Sequence, residues 1–135
     1  MTKRAIGAGI AVLCSGLTLA AVSPLLHLGG TAAYAQTQAE MNIQSGDTYK
    51  QADAEMSAAY WKLYNSISKP QQAMLKESQR IWLKYRDATA RLRASPVSGG
   101  SIYPTIYAKY LTELTKNHTA ELQAVDKSLH AEGGF

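Results

Sequence analysis

The stretch from Pro70 to Ala94, PQQAMLKESQRIWLKYRDATARLRA, decides the fold class, because its apolar residues recur with the period of an α-helix. Steps of four and three residues place these apolar side chains on one helix face and most charges opposite. The sequence therefore predicts an amphipathic helix that ends near Ala94 and buries this face. The predicted buried stripe is Met74, Ser78, Ile81, Tyr85, Ala88 and Leu92, widened by Leu75, Trp82 and Thr89, and the opposite face carries Lys76, Arg80, Lys84, Asp87 and Arg91.

A further helix is predicted before this one, from about Gln38 to Ile67, with Ser45-Gly46 as a candidate break and Asp47 as a fresh N-cap. After it, Ser68 or Lys69 lies in the cap region, and Pro70 suits the first position of the next helix. The buried stripe of the earlier helix is Ala52, Met56, Ala59, Leu63 and Ile67, flanked by Tyr49, Tyr60 and Tyr64.

The segment from Ser95 to Ser101 is predicted to be a loop, because it contains Pro96 and two consecutive glycines. A third helix should begin near Tyr103 or Pro104, with Ser101 as its candidate cap, and end before Gly133-Gly134. Its stripe is Tyr107, Leu111, Leu114, His118, Leu122, Val125 and Leu129.

Three amphipathic helices with short connections predict an all-α fold, namely a small antiparallel up-down-up bundle. The alternative arrangement is a long hairpin of the first two helices with the third packed across it. In either case the mature chain forms one domain.

The N-terminus has the pattern of a cleavable secretory signal peptide. Lys3 and Arg4 precede an apolar run from Ala5 to about Leu28, and Ala33 and Ala35 form an A-x-A motif before Gln36. We therefore predict cleavage after Ala35, a mature domain of residues 36–135, and a periplasmic or secreted location. The alternative is a retained membrane anchor.

The composition of the mature chain argues against nucleic-acid and membrane partners and against stabilisation by disulfide bonds. Loss of Lys3 and Arg4 leaves 12 basic against 10 acidic residues, too small an excess to predict nucleic-acid binding or attachment to an anionic membrane. The single cysteine, Cys14, lies in the predicted signal peptide, so packing alone must stabilise the mature domain.

Sequence spacing predicts no catalytic or metal centre, and no cofactor. His118 and His130 are the two histidines of the mature chain, and their spacing fits no ligand pattern. Ser101 follows two glycines but lacks the strand that a nucleophile elbow requires. Asp53 and Glu55 are two residues apart and so point to different sides of a helix.

Several motifs resemble the LprI-like lysozyme-inhibitor N-terminal domain family across nearly all of the mature chain. The most specific part is the Q-R-x-W-x-x-x-R-D block from Gln79 to Asp87, followed by Gly99-Gly100-Ser101. The resemblance implies a small exported helical domain; one member of the family is a lysozyme inhibitor, and most members have no assigned activity. It also assigns family-motif positions, interpreted as structural, to Asp53, Glu55, Gln79, Trp82, Arg86, Asp87, Gly99, Gly100, Ser101 and Thr115. The chain departs from the family at Gln44, Ala90 and Tyr110, where relatives carry cysteines.

Two polar positions attract separate predictions. Asp53 and Arg86 are expected to form a half-buried ion pair that fixes the register of two helices. His118 lies on an apolar stripe, where a core-edge histidine with one hydrogen bond is expected in preference to a pH switch.

Two functions follow as hypotheses. The first is inhibition of a lysozyme-like peptidoglycan hydrolase, with a protein partner contacted by a protrusion that enters the catalytic cleft. The second is a structural or adaptor module of the cell envelope with no effect on lysozyme. The candidate partner contacts are Arg91, Arg93, Ser98 and Tyr103 around the loop, and Trp61, which falls outside the central stripe of its helix.

Overall fold

The computed structural model describes residues 26–132, which form three α-helices: α1 (Leu26–Ser66), α2 (Lys69–Ala94) and α3 (Tyr103–Glu132). A single turn of 3₁₀-helix, Ser95–Val97, follows α2. No strand occurs in residues 26–132, so the all-α prediction is confirmed for them. Residues 1–25, which hold most of the predicted signal peptide, lie outside the described part of the chain.

The contacts between helices establish an up-down-up topology. Gln38 and Ser66 of α1 contact Thr105 and Asp126 of α3, respectively, so α1 and α3 run parallel. Arg86 of α2 pairs with Asp53 of α1, while Gln79 and Arg93 pair with His118 and Glu113 of α3. These pairs place α2 antiparallel to both other helices, which confirms the bundle and excludes the crossed third helix.

The backbones approach most closely between α1 and α3. Small side chains permit this approach: Ala52 of α1 is 1% exposed, and Thr115 of α3 is completely buried. Next to them Met56 and Leu63 pack against Leu122. The predicted stripe residues of α1 and α3 are buried or half-buried, except for an exposed Val125, but the buried Ala108, Thr115 and Asp126 were not in the predicted stripe of α3.

Helix α1 begins at Leu26, whereas the predicted start was about Gln38, and it passes without interruption through Ser45-Gly46-Asp47, so the predicted start and the predicted break are both wrong. The Ser45 hydroxyl donates to the Asn42 carbonyl at 3.0 Å, a bond compatible with continued helix. One glycine weakens a helix by only about 1 kcal/mol. Contacts to α3 and α2 on either side of Gly46, at Gln38 and Asp53, hold the helix across it.

The predicted central stripe of α2 is also wrong, because the helix is rotated by about one residue. The residues predicted to widen it, Leu75, Trp82 and Thr89, are half-buried, and Leu75 and Trp82 pack against the core, so this part of the prediction is confirmed. Met74, Ile81, Tyr85 and Leu92 are 70%, 55%, 57% and 73% exposed, and Ser78 and Ala88 are exposed as well. The face toward α1 and α3 consists instead of Leu75, Gln79, Trp82, Arg86, Ala90 and Ala94. Its polar members find partners on α1 and α3, and Asp87, predicted to lie opposite, belongs to that cluster too.

The two interhelical turns explain where the helices start. Ser68 is the N-cap of α2, and its backbone N–H donates to Gln71 Oε1 at 2.9 Å; Pro70 follows at the second helical position. In the second turn the Ile102 carbonyl accepts the first bond of α3, from the Ile106 N–H at 3.1 Å. Ile102, and not Ser101, therefore occupies the cap position.

Among the residues the structure describes, no helix combines the length and the apolar character needed to cross a membrane.

Candidate functional site

Arg86 is the centre of a polar cluster between α1 and α2. Its side chain is 9% exposed; Nη1 lies 3.3 Å from Asp53 Oδ1 and Nη2 lies 2.9 Å from Asp87 Oδ1. The guanidinium carbon lies 5.5 Å from the centre of the Tyr49 ring and 5.3 Å from that of the Trp82 ring. The predicted Asp53–Arg86 pair is confirmed. The contacts of Arg86 with Asp87 and with the Tyr49 and Trp82 rings were not predicted from the sequence, because helical periodicity does not show which side chains meet.

The same cluster perturbs the Tyr49 hydroxyl, which lies 3.5 Å from Asp53 Oδ1. Burial is the main cause that raises the pKa of Tyr49, and the carboxylates of Asp53 and Asp87 act in the same direction while Arg86 opposes them. The neutral Tyr49 hydroxyl donates a hydrogen bond to Asp53, and the ring lies against the Arg86 guanidinium.

His118 connects α3 to α2 through one hydrogen bond and one ring stack. Its Nε2 lies 2.9 Å from Gln79 Oε1, and its ring stacks on Trp82 with centroids 4.0 Å apart and planes at 10°. Nδ1 also faces Glu121 at 3.1 Å. His118 is buried, as its position on an apolar stripe indicates, but it has two polar contacts where one was expected.

Asp126 forms a third polar cluster, between α1 and α3 near the end of the bundle, which was not identified from the sequence. The carboxylate is 10% exposed and lies 2.8 Å from Lys62 Nζ, 3.3 Å from Ser66 Oγ and 3.3 Å from His130 Nδ1. The hydrogen bond from Lys62 is the main cause that lowers the pKa of Asp126. Only the Asp126–His130 spacing of four residues was visible in the sequence as a signal.

The turn between α2 and α3 is exposed but internally bonded. The Ser98 N–H donates to the Ser95 carbonyl at 3.0 Å, and the Gly100 N–H donates to the Val97 carbonyl at 3.1 Å. Gly99 has a φ of 81°, a conformation that favours glycine. A Cβ at Gly100 would lie 3.3 Å from the Val97 carbonyl oxygen, which is closer than most Cβ contacts. The two glycines of the family motif are therefore explained by this turn.

Both ends of the turn are tied to α3. Arg93 Nη1 lies 2.8 Å from Glu113 Oε1, and the guanidinium carbon lies 4.9 Å from the centre of the Tyr110 ring. The Tyr103 ring stacks on Tyr107 at 5.9 Å. Arg91 points into solvent and makes no ion pair within the described residues. The turn is thus a short protrusion on a fixed base.

Trp61 lies at the other end of the bundle, in an aromatic group with the half-buried Tyr60 and Tyr64. Its ring meets theirs edge to face at 5.2 Å and 5.3 Å, and it is 54% exposed, which confirms that it lies outside the core. Lys76 of α2 lies over the Tyr64 ring. Lys76 precedes Arg91 by 15 residues, which is about 22 Å along α2. The predicted contacts therefore form two separate surfaces.

The remaining sequence-derived positions have simple surroundings. Thr115 is buried between α1 and α3, whereas Glu55 is exposed and accepts a bond from Gln51 at 3.1 Å. Ala33, Ala35 and Gln36 are exposed within α1, and cleavage after Ala35 stays a prediction. Within residues 26–132, no three His, Cys, Asp or Glu side chains are placed to hold a metal ion.

Comparison with known proteins identifies relatives of the whole bundle. The sequence model of the family described as "Lysozyme inhibitor LprI" matches residues 30–122, which include α2, the turn and most of α1 and α3. A protein of Rhizobium meliloti (strain 1021), named only as uncharacterized, is 30% identical over 107 residues, covering 70% of this chain and 77% of its own length. No solved structure was found to match.

Proposed function

Because the chain belongs to the family of the lysozyme inhibitor LprI, we propose that it is an exported, non-enzymatic protein that inhibits a lysozyme-like peptidoglycan hydrolase. Family membership is the observation that carries this proposal. The signal-peptide pattern before Gln36 supports export to the compartment in which peptidoglycan is exposed.

We assign the contact to the α2–α3 turn, from Ser95 to Ile102. An inhibitor that blocks a glycosidase must place groups in a cleft that holds two carboxyl groups. The turn is exposed, bonded to itself and held at its α2 end by the Arg93–Glu113 pair. A preorganised protrusion loses little conformational entropy on binding, which favours affinity.

The chemistry of the turn suits an acidic cleft. Its exposed tip, Ser98 to Ser101, carries hydroxyl groups and no acidic side chain. Hydroxyl and backbone N–H donors form strong hydrogen bonds with ionised carboxylates. Arg91, exposed one helical turn before the 3₁₀ segment, adds positive charge nearby.

A matched pair of charge substitutions tests the assignment. Ser98→Glu introduces a carboxylate at the tip, and Asn65→Glu introduces the same charge at an exposed position in the last turn of α1, at the opposite end of the bundle. In an assay of lysozyme-driven lysis of a peptidoglycan suspension, Ser98→Glu should weaken inhibition at least tenfold and Asn65→Glu should leave it unchanged.

A third variant, Trp61→Ala, separates the two candidate surfaces. Loss of inhibition in Trp61→Ala but not in Ser98→Glu would move the contact to the aromatic group and reject the turn. If the unsubstituted protein leaves lysis unaffected at high molar excess, the inhibitor function itself is rejected. That result would favour the alternative function, a structural or adaptor module of the cell envelope.

A further inference from the structure

The outer face of α2 carries an apolar stripe that the bundle does not cover. Met74, Ile81, Tyr85 and Leu92 are all more than half exposed, and the intervening stripe positions are the small residues Ser78 and Ala88. The stripe is about 27 Å long, since each helical residue advances 1.5 Å. Isolated exposed apolar residues are ordinary, but a continuous row at heptad spacing is typical of helix pairing.

The stripe is symmetric about Leu83 along the chain. If a second α2 is laid antiparallel with the two Leu83 positions level, each stripe residue faces a stripe residue of the other copy. Met74 faces Leu92, Ile81 faces Tyr85 and Ser78 faces Ala88, and each pair occurs twice. Such self-complementarity is what a twofold homodimer interface requires.

The charges that flank the stripe agree with the same pairing. In antiparallel coiled coils the residues just outside the apolar seam face their counterparts on the other helix, which here brings Glu77 opposite the partner's Arg91. This ion pair forms twice. Within one chain Glu77 contacts only the exposed Arg80, at 2.6 Å, and Arg91 has no ion-pair partner in the described residues. The opposing Lys84 residues meet at the axis and weaken the contact somewhat.

The Met74 end of the stripe opens into a groove of about 440 Å³ that is bordered by Leu63, Leu75 and Val125. Its lining is mainly apolar, and Val125 is the one predicted core residue of α3 that is exposed. In the antiparallel arrangement the partner's Leu92, itself exposed in one chain, lies beside this groove. Its burial there removes apolar surface of both copies from water.

We propose that α2 pairs antiparallel with α2 of a second copy, forming a homodimer through the stripe from Met74 to Leu92. The stripe covers less than three heptads, short for a stable coiled coil, so the dissociation constant should be roughly micromolar. The two α2–α3 turns then project from opposite ends of the interface, and the proposal holds whether or not they inhibit a hydrolase.

Sedimentation equilibrium of the protein in the form that the host exports tests the dimer. We expect twice the monomer mass at about 100 µM, tenfold or more above the expected dissociation constant. Ile81→Lys should yield a monomer with unchanged helical circular dichroism, whereas Ile43→Lys, a matched change at an exposed isoleucine of α1, should stay dimeric.

Charge exchange tests the antiparallel register. Glu77→Arg and Arg91→Glu should each weaken association at least fivefold, and the double variant should restore it. A protein that stays monomeric at this concentration overturns the proposal and leaves the stripe to another partner, such as the hydrolase. Failure of the double variant to recover would reject the antiparallel pairing.

Discussion

Polar side chains lie inside this small bundle and determine how its helices are aligned. Arg86, His118 and Asp126 are all buried, and each connects two helices through paired polar atoms. A buried charge is tolerated only when it is paired, and such pairs favour one register over others more than they add net stability. Gln79, Trp82, Arg86 and Asp87 of the Q-R-x-W-x-x-x-R-D block therefore have structural roles, whereas Arg80 is exposed and pairs with Glu77 on its own helix.

Removal of Arg86 should destabilise the protein clearly. Arg86→Ala deletes the ion pairs with Asp53 and Asp87 and the contacts with the Tyr49 and Trp82 rings, and since the two carboxylates are 43% and 37% exposed, we expect a loss of about 2 kcal/mol, less than for a fully buried pair. Arg86→Lys keeps the charge without the planar fork and should lose about half as much. Urea denaturation followed by circular dichroism measures both; an unchanged midpoint would remove the cluster from the account.

Asp126 should make stability depend on acid. The Lys62 hydrogen bond lowers the pKa of Asp126 in the folded state below its unfolded value. Its contribution is therefore fully present above about pH 4 and disappears as the pH falls through the folded pKa. Asp126→Asn should be less stable than the parent at pH 7, with a difference that shrinks between about pH 4 and pH 2. A stability difference between Asp126→Asn and the parent that is the same at pH 7 and at about pH 2 would contradict this assignment.

At the scale of the elements, Gly46 within α1 and Gly99 in the α2–α3 turn should respond oppositely to alanine. Gly46 lies in continuous helix with open space where the Cβ of an alanine would stand, so Gly46→Ala should add about 1 kcal/mol of stability. Gly99 has a φ of 81°, so Gly99→Ala should cost about 1 kcal/mol or more. Thermal unfolding of both variants checks this; stabilisation by Gly99→Ala would show that the turn is not fixed.

The boundaries between α1 and α2 and between α2 and α3 could be predicted from the sequence, whereas the start of α1 and the orientation of α2 could not. Pro70, Pro96 and the paired glycines Gly99-Gly100 act through neighbouring residues, so the bounds of α2 and the start of α3 follow from the local sequence. The inward face of α2 depends on Asp53 and His118, which lie on other helices. A period count prefers the more apolar Met74–Leu92 stripe, because it cannot see those partners.

At the scale of the whole molecule, the packing of α1 against α3 compensates for the absence of cysteine in residues 26–132. Ala52 and Thr115 allow close backbone approach, and three polar clusters fix the remaining degrees of freedom along the bundle. The outer surface is then left with the α2–α3 turn at one end, the Trp61 aromatic group at the other, and the α2 stripe between them. The sequence could not predict that the α2–α3 turn and Trp61 lie at opposite ends of the bundle, because the number of residues between two positions does not give their distance along the bundle.

The central functional claim is that the turn occupies the catalytic cleft of a lysozyme. Calorimetric titration of lysozyme with the protein, with and without a chitin oligosaccharide that fills the cleft, tests it most directly. The account predicts saturable binding that the oligosaccharide abolishes or weakens in proportion to its concentration. Binding that is equally tight with the cleft filled, or no binding at all, would contradict it.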